Sequence, residues 1–218
     1  MMGKLTARAI AERALEIGDA EGLDAVTIRR LASDLGVTPM ALYWHFKNKE
    51  QLIIGMADHL IGGFAPKPAD ERPWQEQLRD LTEGLINTLR THPCAKHVIE
   101  QIDAVAVPNF LAVWDQALGL ARAAGFSVEE SCLITKYLLQ SAIAIADAPV
   151  HHQAYLSGED FAQQVSFKRL GLQSLPGERY PHLVEMAGPL VEPMDPHLYD
   201  TFGVDLVLSG IEALAARR

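Results

Sequence analysis

Between Thr27 and Lys49 the chain sets out hydroxyl, guanidinium, phenol, imidazole and ammonium groups at short intervals: Thr27, Arg29, Thr38, Tyr43, His45 and Lys49. Each can donate a hydrogen bond to a phosphate oxygen. Their spacing makes neither a metal site nor a nucleophile with its base, so the chemistry is recognition. Pro39, Met40 and Ala41 lie among them and offer apolar contact suited to thymine methyl groups, without a bidentate donor pair. Arg29 is the residue able to make a bidentate guanine contact. Double-stranded DNA is therefore the expected partner.

The elements that must position these groups are two short helices joined by a turn. Ile28, Leu31 and Leu35 repeat at helical spacing, Gly36 can take the left-handed conformation at the helix end, and Val37, Leu42 and Phe46 supply the next apolar face. This is a helix-turn-helix pattern. Ala32 suits the closest approach of the two helices. Thr27 and Thr38 are placed to cap them, with Pro39 at the first helical position, where its missing N–H costs nothing. A preceding helix, capped by Thr6, runs to Ala20 with Ile10, Ala14 and Ile17 on one face, and Gly22 ends it. Asn48 and Gln51 resemble a capping box opening a fourth helix through Leu60. Trp44 and Phe46 read as packing residues and Arg30 as a solvated charge.

The segment 62–73, GGFAPKPADERP, cannot continue a helix and reads as a connection. We place the domain boundary there: 1–61 for DNA binding and 62–218 for a second helical domain. Beyond it, helical periodicity covers 74–91, 95–102, 107–124, 127 to about 153, and 196–217. Ser127 and Glu130 form a second capping box after Gly125. Residues 154–195 are irregular, with short helices expected at 161–170 and 182–187, and read as a flap. No stretch alternates as a strand does, so the fold class is all-α.

The 218 residues are 49% hydrophobic with a net charge of −9. The acidity is uneven: residues 1–60 sit at −1 and the remainder at −8, which excludes binding to DNA by bulk charge alone. Cys94 and Cys132 are too few for a disulfide framework or a thiolate zinc site, and the adjacent His151 and His152 cannot act as an i, i+4 pair. No metal or cofactor is expected. The longest apolar run, 138–146, is too short for a bilayer, and the reading is a soluble cytoplasmic protein.

The run TIRRLASDLGVTPMALYWHFKNKEQL resembles the signature of the tetracycline-repressor family of bacterial regulators, and FGVDLVLSGIEAL is similar to the last helix of that type of C-terminal domain. The resemblance implies an all-helical homodimer whose N-terminal domains bind operator DNA and whose C-terminal domains bind a small inducer. It also implies that Thr27, Arg29, Thr38, Tyr43, His45 and Lys49 contact DNA. Pro39, Met40 and Ala41 depart from the founding repressor, and no residues match its magnesium–tetracycline ligands.

Small residues along two helices suit close contact between subunits: Ser141, Ala144 and Ala148 on one, and Gly203, Gly210 and Ala213 with Leu206 on the other. A ligand cavity is expected among the central helices, with Asn87, His97, Phe110, Trp114, Tyr137 and Gln140 as candidate contacts. The reading is a ligand-responsive regulator, a repressor released by a small, largely apolar molecule. Alternatives are an activator, a DNA-binding factor without ligand control, and a helical enzyme using Cys94 with His92 or His97.

Overall fold

The computed structural model describes residues 5–64, 71–148 and 159–218, and among these every regular element is helical. They divide into two compact units: 1–146 with 206–218, and 147–205.

The first unit opens with α1 (Ala7–Glu21), α2 (Ile28–Asp34), α3 (Pro39–Tyr43) and α4 (Lys49–Gly62). Each start is fixed by the cap its sequence offers. Thr6, Thr27 and Thr38 accept backbone N–H groups from Ala9 at 3.1 Å, Arg30 at 3.1 Å and Ala41 at 3.3 Å. Asn48 caps α4 through Gln51 N–H at 2.8 Å, while the Gln51 side chain reaches back one residue further than a capping box requires and accepts from Lys47 N–H at 3.0 Å. Gly36 turns the chain between α2 and α3 with φ of 64°.

Ile10, Ala14, Ile17, Leu31, Ala32, Leu42, Leu52 and Met56 form the core of this head, all within 2% exposure. Phe46 joins it against α4. A Cβ on Gly55 would lie 2.5 Å from the Phe46 ring, so glycine at 55 lets that ring sit on the helix.

The body follows: α5 (Trp74–Thr91), α6 (Ala95–Gln101), α7 (Pro108–Ala123) and α8 (Val128–Ala146). α8 packs on α5 and α7, and α4 packs on α7 and α6 as well as on α1. The first 61 residues are thus continuous in packing with the body, although their sequence pattern changes near residue 62. Ser127 and Glu130 make a full capping box: Ser127 N–H donates to Glu130 at 2.8 Å and Glu130 N–H to Ser127 Oγ at 3.2 Å. α8 stops at Ala146, earlier than its periodicity suggests, because Pro149 disfavours helical backbone just before it.

The second unit holds α9 (Glu159–Gln173), which packs on α10 (Pro181–Glu185) and is tied to the following turn by Arg169 and Glu192 at 2.8 Å. A last helix, α11, spans Pro196–Ala215. Part of the expected flap, 154–158, falls outside the described residues, as do His151 and His152.

Candidate functional site

In α3 only Leu42 is buried, so the helix is held by one apolar anchor and presents everything else outward. Thr27, Arg29, Thr38, Pro39, Met40, Tyr43, His45 and Lys49 are all exposed, and Ala41 is half-buried. The sequence-expected DNA contacts are thus available to solvent together. Trp44 corrects the sequence reading: it packs against nothing internal and is 85% exposed, beside Met40 at 67% and Tyr43 at 44%. It follows the last residue of a five-residue helix whose single buried position is already filled by Leu42, so its ring has no core to enter. An indole and a thioether left bare are apolar surface suited to sugar and methyl contact.

Ion pairing sorts the cations of the head. Arg8 bonds Glu12 at 2.8 Å, Arg13 bonds Glu16 and Asp34, and Arg30 bonds Glu21 at 2.7 Å and Asp34 at 3.2 Å. The Arg13 hydrogen bond, with Arg30 beside it, holds the Asp34 carboxyl below the usual carboxylate range. Arg30 is thereby braced by Asp34 and Glu21 and belongs to the scaffold rather than to a partner. Among the described residues of the head, Arg29, Lys47 and Lys49 carry no such partner, and these are the charges free to meet phosphate. Lys47 is an exposed, unpaired charge that sequence reasoning did not single out. Its signal is the unpaired charge, visible only once the carboxylates find their partners.

A cavity of about 340 Å³ lies in the body between α4, α5, α7 and α8. Ile61 of α4, Leu78, Leu81 and Leu85 of α5, Phe110, Val113, Trp114 and Ala117 of α7, and Leu138 and Leu139 of α8 line it. Phe110 and Trp114 meet edge to face with ring centroids 6.0 Å apart. The two hydroxyls in its wall face away from need: Thr82 donates to Leu78 C=O at 2.8 Å and Thr135 to Cys132 C=O at 3.1 Å. The space accepts apolar, aromatic matter.

The other candidate contacts lie elsewhere. On α8 the buried positions Ser131, Ile134, Thr135, Leu138 and Ala142 form one stripe, which puts Tyr137, 63% exposed, and Gln140 on the opposite face. His97 is exposed on α6 opposite Ala95 and Val98. Asn87 lines a separate polar groove with His59, Asp58 and Asn109 between α1, α4, α5 and the start of α7. Of the small residues considered for a subunit contact, Ala144, Gly210 and Ala213 are exposed and Leu206 is 65% exposed. Ser141 and Gly203 are half-buried, and Ala148 is already covered within its own protomer.

Two polar clasps join head to body. Asp58 of α4 accepts Asn109 N–H at 2.9 Å while its own C=O accepts the Asn109 amide at 2.9 Å. Asp19 of α1 meets His92 Nδ1 at 2.7 Å and accepts Cys94 N–H at 3.1 Å. The same clasp removes Cys94 as a nucleophile: burial, with the Asp19 carboxylate beside it, pushes the thiol up to about 12, so it stays protonated. His92 is engaged by Asp19 rather than by the sulfur. Among the described residues, no group of three ligating side chains could hold a metal, and no helix is long and apolar enough to cross a membrane.

Residues 10–56 match the family described as bacterial regulatory proteins of the tetR type, and residues 67–215 match the tetracyclin repressor-like C-terminal domain. The chain belongs to the TetR family. It is accordingly a transcriptional regulator with an N-terminal helix-turn-helix and a helical C-terminal region. A curated TetR relative, the HTH-type transcriptional repressor DrrR1 of Streptomyces coeruleorubidus, is 28% identical over 98% of this chain and 80% of its own length. The class C tetracycline repressor of Escherichia coli is 40% identical over 80 residues, 36% of each chain. Apo ActR, a TetR protein of Streptomyces coelicolor, superposes with a TM-score of 0.77 at 26% identity, covering 100% of this chain and 99% of its own. ActR is also solved in complex with actinorhodin, at a TM-score of 0.74.

Proposed function

We propose that this TetR regulator is a cytoplasmic homodimeric repressor that leaves its operator when a small, largely apolar molecule fills the cavity. The carrying observation is that the cavity is walled jointly by the DNA-reading half and the body: Ile61 belongs to α4, and Phe110 and Trp114 belong to α7. Asn109, next to Phe110, is the residue clasped to Asp58 of α4. A ligand that wedges α7 away from α5 and α8 therefore pulls on α4, the helix that carries Lys49 at its start. In a dimer such a pull alters the separation of two α3 helices, which must sit about 34 Å apart to read successive half-sites. A coupling of about 1–3 kcal/mol lowers operator affinity by roughly 5- to 150-fold.

The head, residues 1–61, supplies the DNA contacts Thr27, Arg29, Thr38, Pro39, Met40, Ala41, Tyr43, His45 and Lys49 on this reading, joined by Lys47 and Trp44. Residues 62–218 supply ligand binding and dimerisation. The exposed apolar side chains Leu133 and Tyr137 of α8 and Leu206 and Leu214 of α11 are the surface a partner subunit would cover. The repressor named for DrrR1 and the ligand complex of ActR support the same reading.

The test is binding of the full-length protein to the DNA upstream of its own gene, measured by fluorescence anisotropy across a salt series. Tight binding is expected, lost in Tyr43→Ala and weakened in Lys49→Ala, and reversed by aromatic compounds that bind the cavity. Saturating cavity ligands that leave operator affinity unchanged would assign the protein to DNA binding without ligand control.

A further inference from the structure

Among the described residues, four lining side chains carry polar groups: Thr82, Trp114, Thr135 and Lys136. Both hydroxyls are engaged with carbonyls of their own helices. Lys136 has no ion pair or hydrogen bond, and its exposed ammonium rides on a stem that borders the cavity. Among the described residues no Asp or Glu lines the space, so no carboxylate of the described wall balances a positive ligand or competes for the ammonium. The wall is therefore largely apolar, with the Trp114 indole N–H as a further donor and one unneutralised cation at its edge.

We infer that the cavity takes an aromatic acid, with its rings against Phe110 and Trp114 and a single anionic group, carboxylate, sulfonate or phenolate, at the mouth on Lys136. The inference rests on the cavity being the ligand site, as proposed above. An ammonium is a compact donor with three N–H groups, and an anion beside it needs no further polar group from the wall. Buried rings supply affinity and the exposed charge pair supplies selection, because a solvent-facing pair adds little energy but discriminates by sign. A cationic amphiphile of the same shape meets repulsion at the mouth.

The experiment compares two fluorescent probes that share an arylaminonaphthalene body: anionic 1-anilinonaphthalene-8-sulfonate and neutral N-phenyl-1-naphthylamine, titrated against the full-length protein. The wild type is expected to prefer the sulfonate by about 3- to 5-fold at low ionic strength, with the preference shrinking as salt is added. Lys136→Met is expected to remove the preference and leave the neutral probe bound as before. Equal affinity for both probes in the wild type, or a preference that survives Lys136→Met, overturns the assignment. Filling the space with Ala117→Phe, or with Val113→Phe should the first fail to fold by circular dichroism, is expected to expel both probes. Undiminished sulfonate binding in a folded filled variant also overturns it, since the probe then sits elsewhere. If neither probe binds the wild type, the failure lies with the cavity as a ligand site, and the charge preference falls with it.

Discussion

In α3 one residue of five is buried, whereas α5 and α8 bury a residue every three or four positions along their length. The reading head works by what it leaves out: short helices capped by Thr27 and Thr38, one anchor at Leu42, and a surface where acids have already claimed Arg8, Arg13 and Arg30. The body works by what it encloses, and its functional surface is the part of the apolar interior that its own side chains fail to fill. A residue exposed on the head is therefore informative by its type, while an apolar residue in the body is informative only by its position against a void.

One substitution made in both places tests this contrast most severely. Ala32→Leu forces three extra carbons into the contact of α2 with α3, where Ala32 is 2% exposed, and is expected to cost about 1–3 kcal/mol and abolish operator binding. Ala117→Leu adds the same carbons to open space in the cavity, so the melting temperature should hold or rise while ligand response is lost. Equal destabilisation of the two variants in thermal melts would mean that the cavity wall is as tightly packed as the head.

A smaller effect separates the two classes of arginine. Arg29→Ala is expected to weaken binding and reduce the slope of log affinity against log salt by about one, as loss of a phosphate contact does. Arg30→Ala should leave that slope alone and lower stability only slightly, because its partners are Glu21 and Asp34 and the pairs are solvent-exposed. Matching salt slopes in the two variants would break the sorting of cations by ion pairing.

The smallest expected effect is the pH dependence that Asp34 gives the head. Because Arg13 and Arg30 depress the pKa of Asp34, its contribution is fully present above the unfolded value near pH 4 and fades as pH falls through the lower folded value. The melting temperature of Asp34→Asn should lie below that of the wild type at neutral pH and converge with it in acid. A gap that stays constant down to low pH would assign the effect to packing instead of charge.

The sequence made the head legible because its signals are local. A cap reads its own helix three residues on, as Thr27 does at Arg30, and Gly36 reports the backbone at one position. Trp44 escaped because an aromatic beside Phe46 looks like core until α3 proves too short to bury both. Phe110 and Trp114 were found among the cavity candidates, but Tyr137 and Gln140 were not separated from them. Their place depends on the rotational phase of α8, which is set by contacts with α5 and α7 that are distant in sequence. Lys47 was missed because an unpaired charge is defined by where the carboxylates go.

The clasps Asp58–Asn109 and Asp19–His92 bear on how such a protein can be re-engineered as a sensor. A hybrid cut in the linker near residue 62 would carry Asp58 and Asp19 to a new body lacking Asn109, His92 and Cys94. It would also lose the neighbour of Gly18, whose missing Cβ would otherwise lie 2.9 Å from the Cys94 sulfur. The junction that must be transplanted intact is thus a set of matched pairs spread over α1, α4, α7 and the turn between α5 and α6, so grafts between relatives should transmit their signal in proportion to how many of those pairs they preserve.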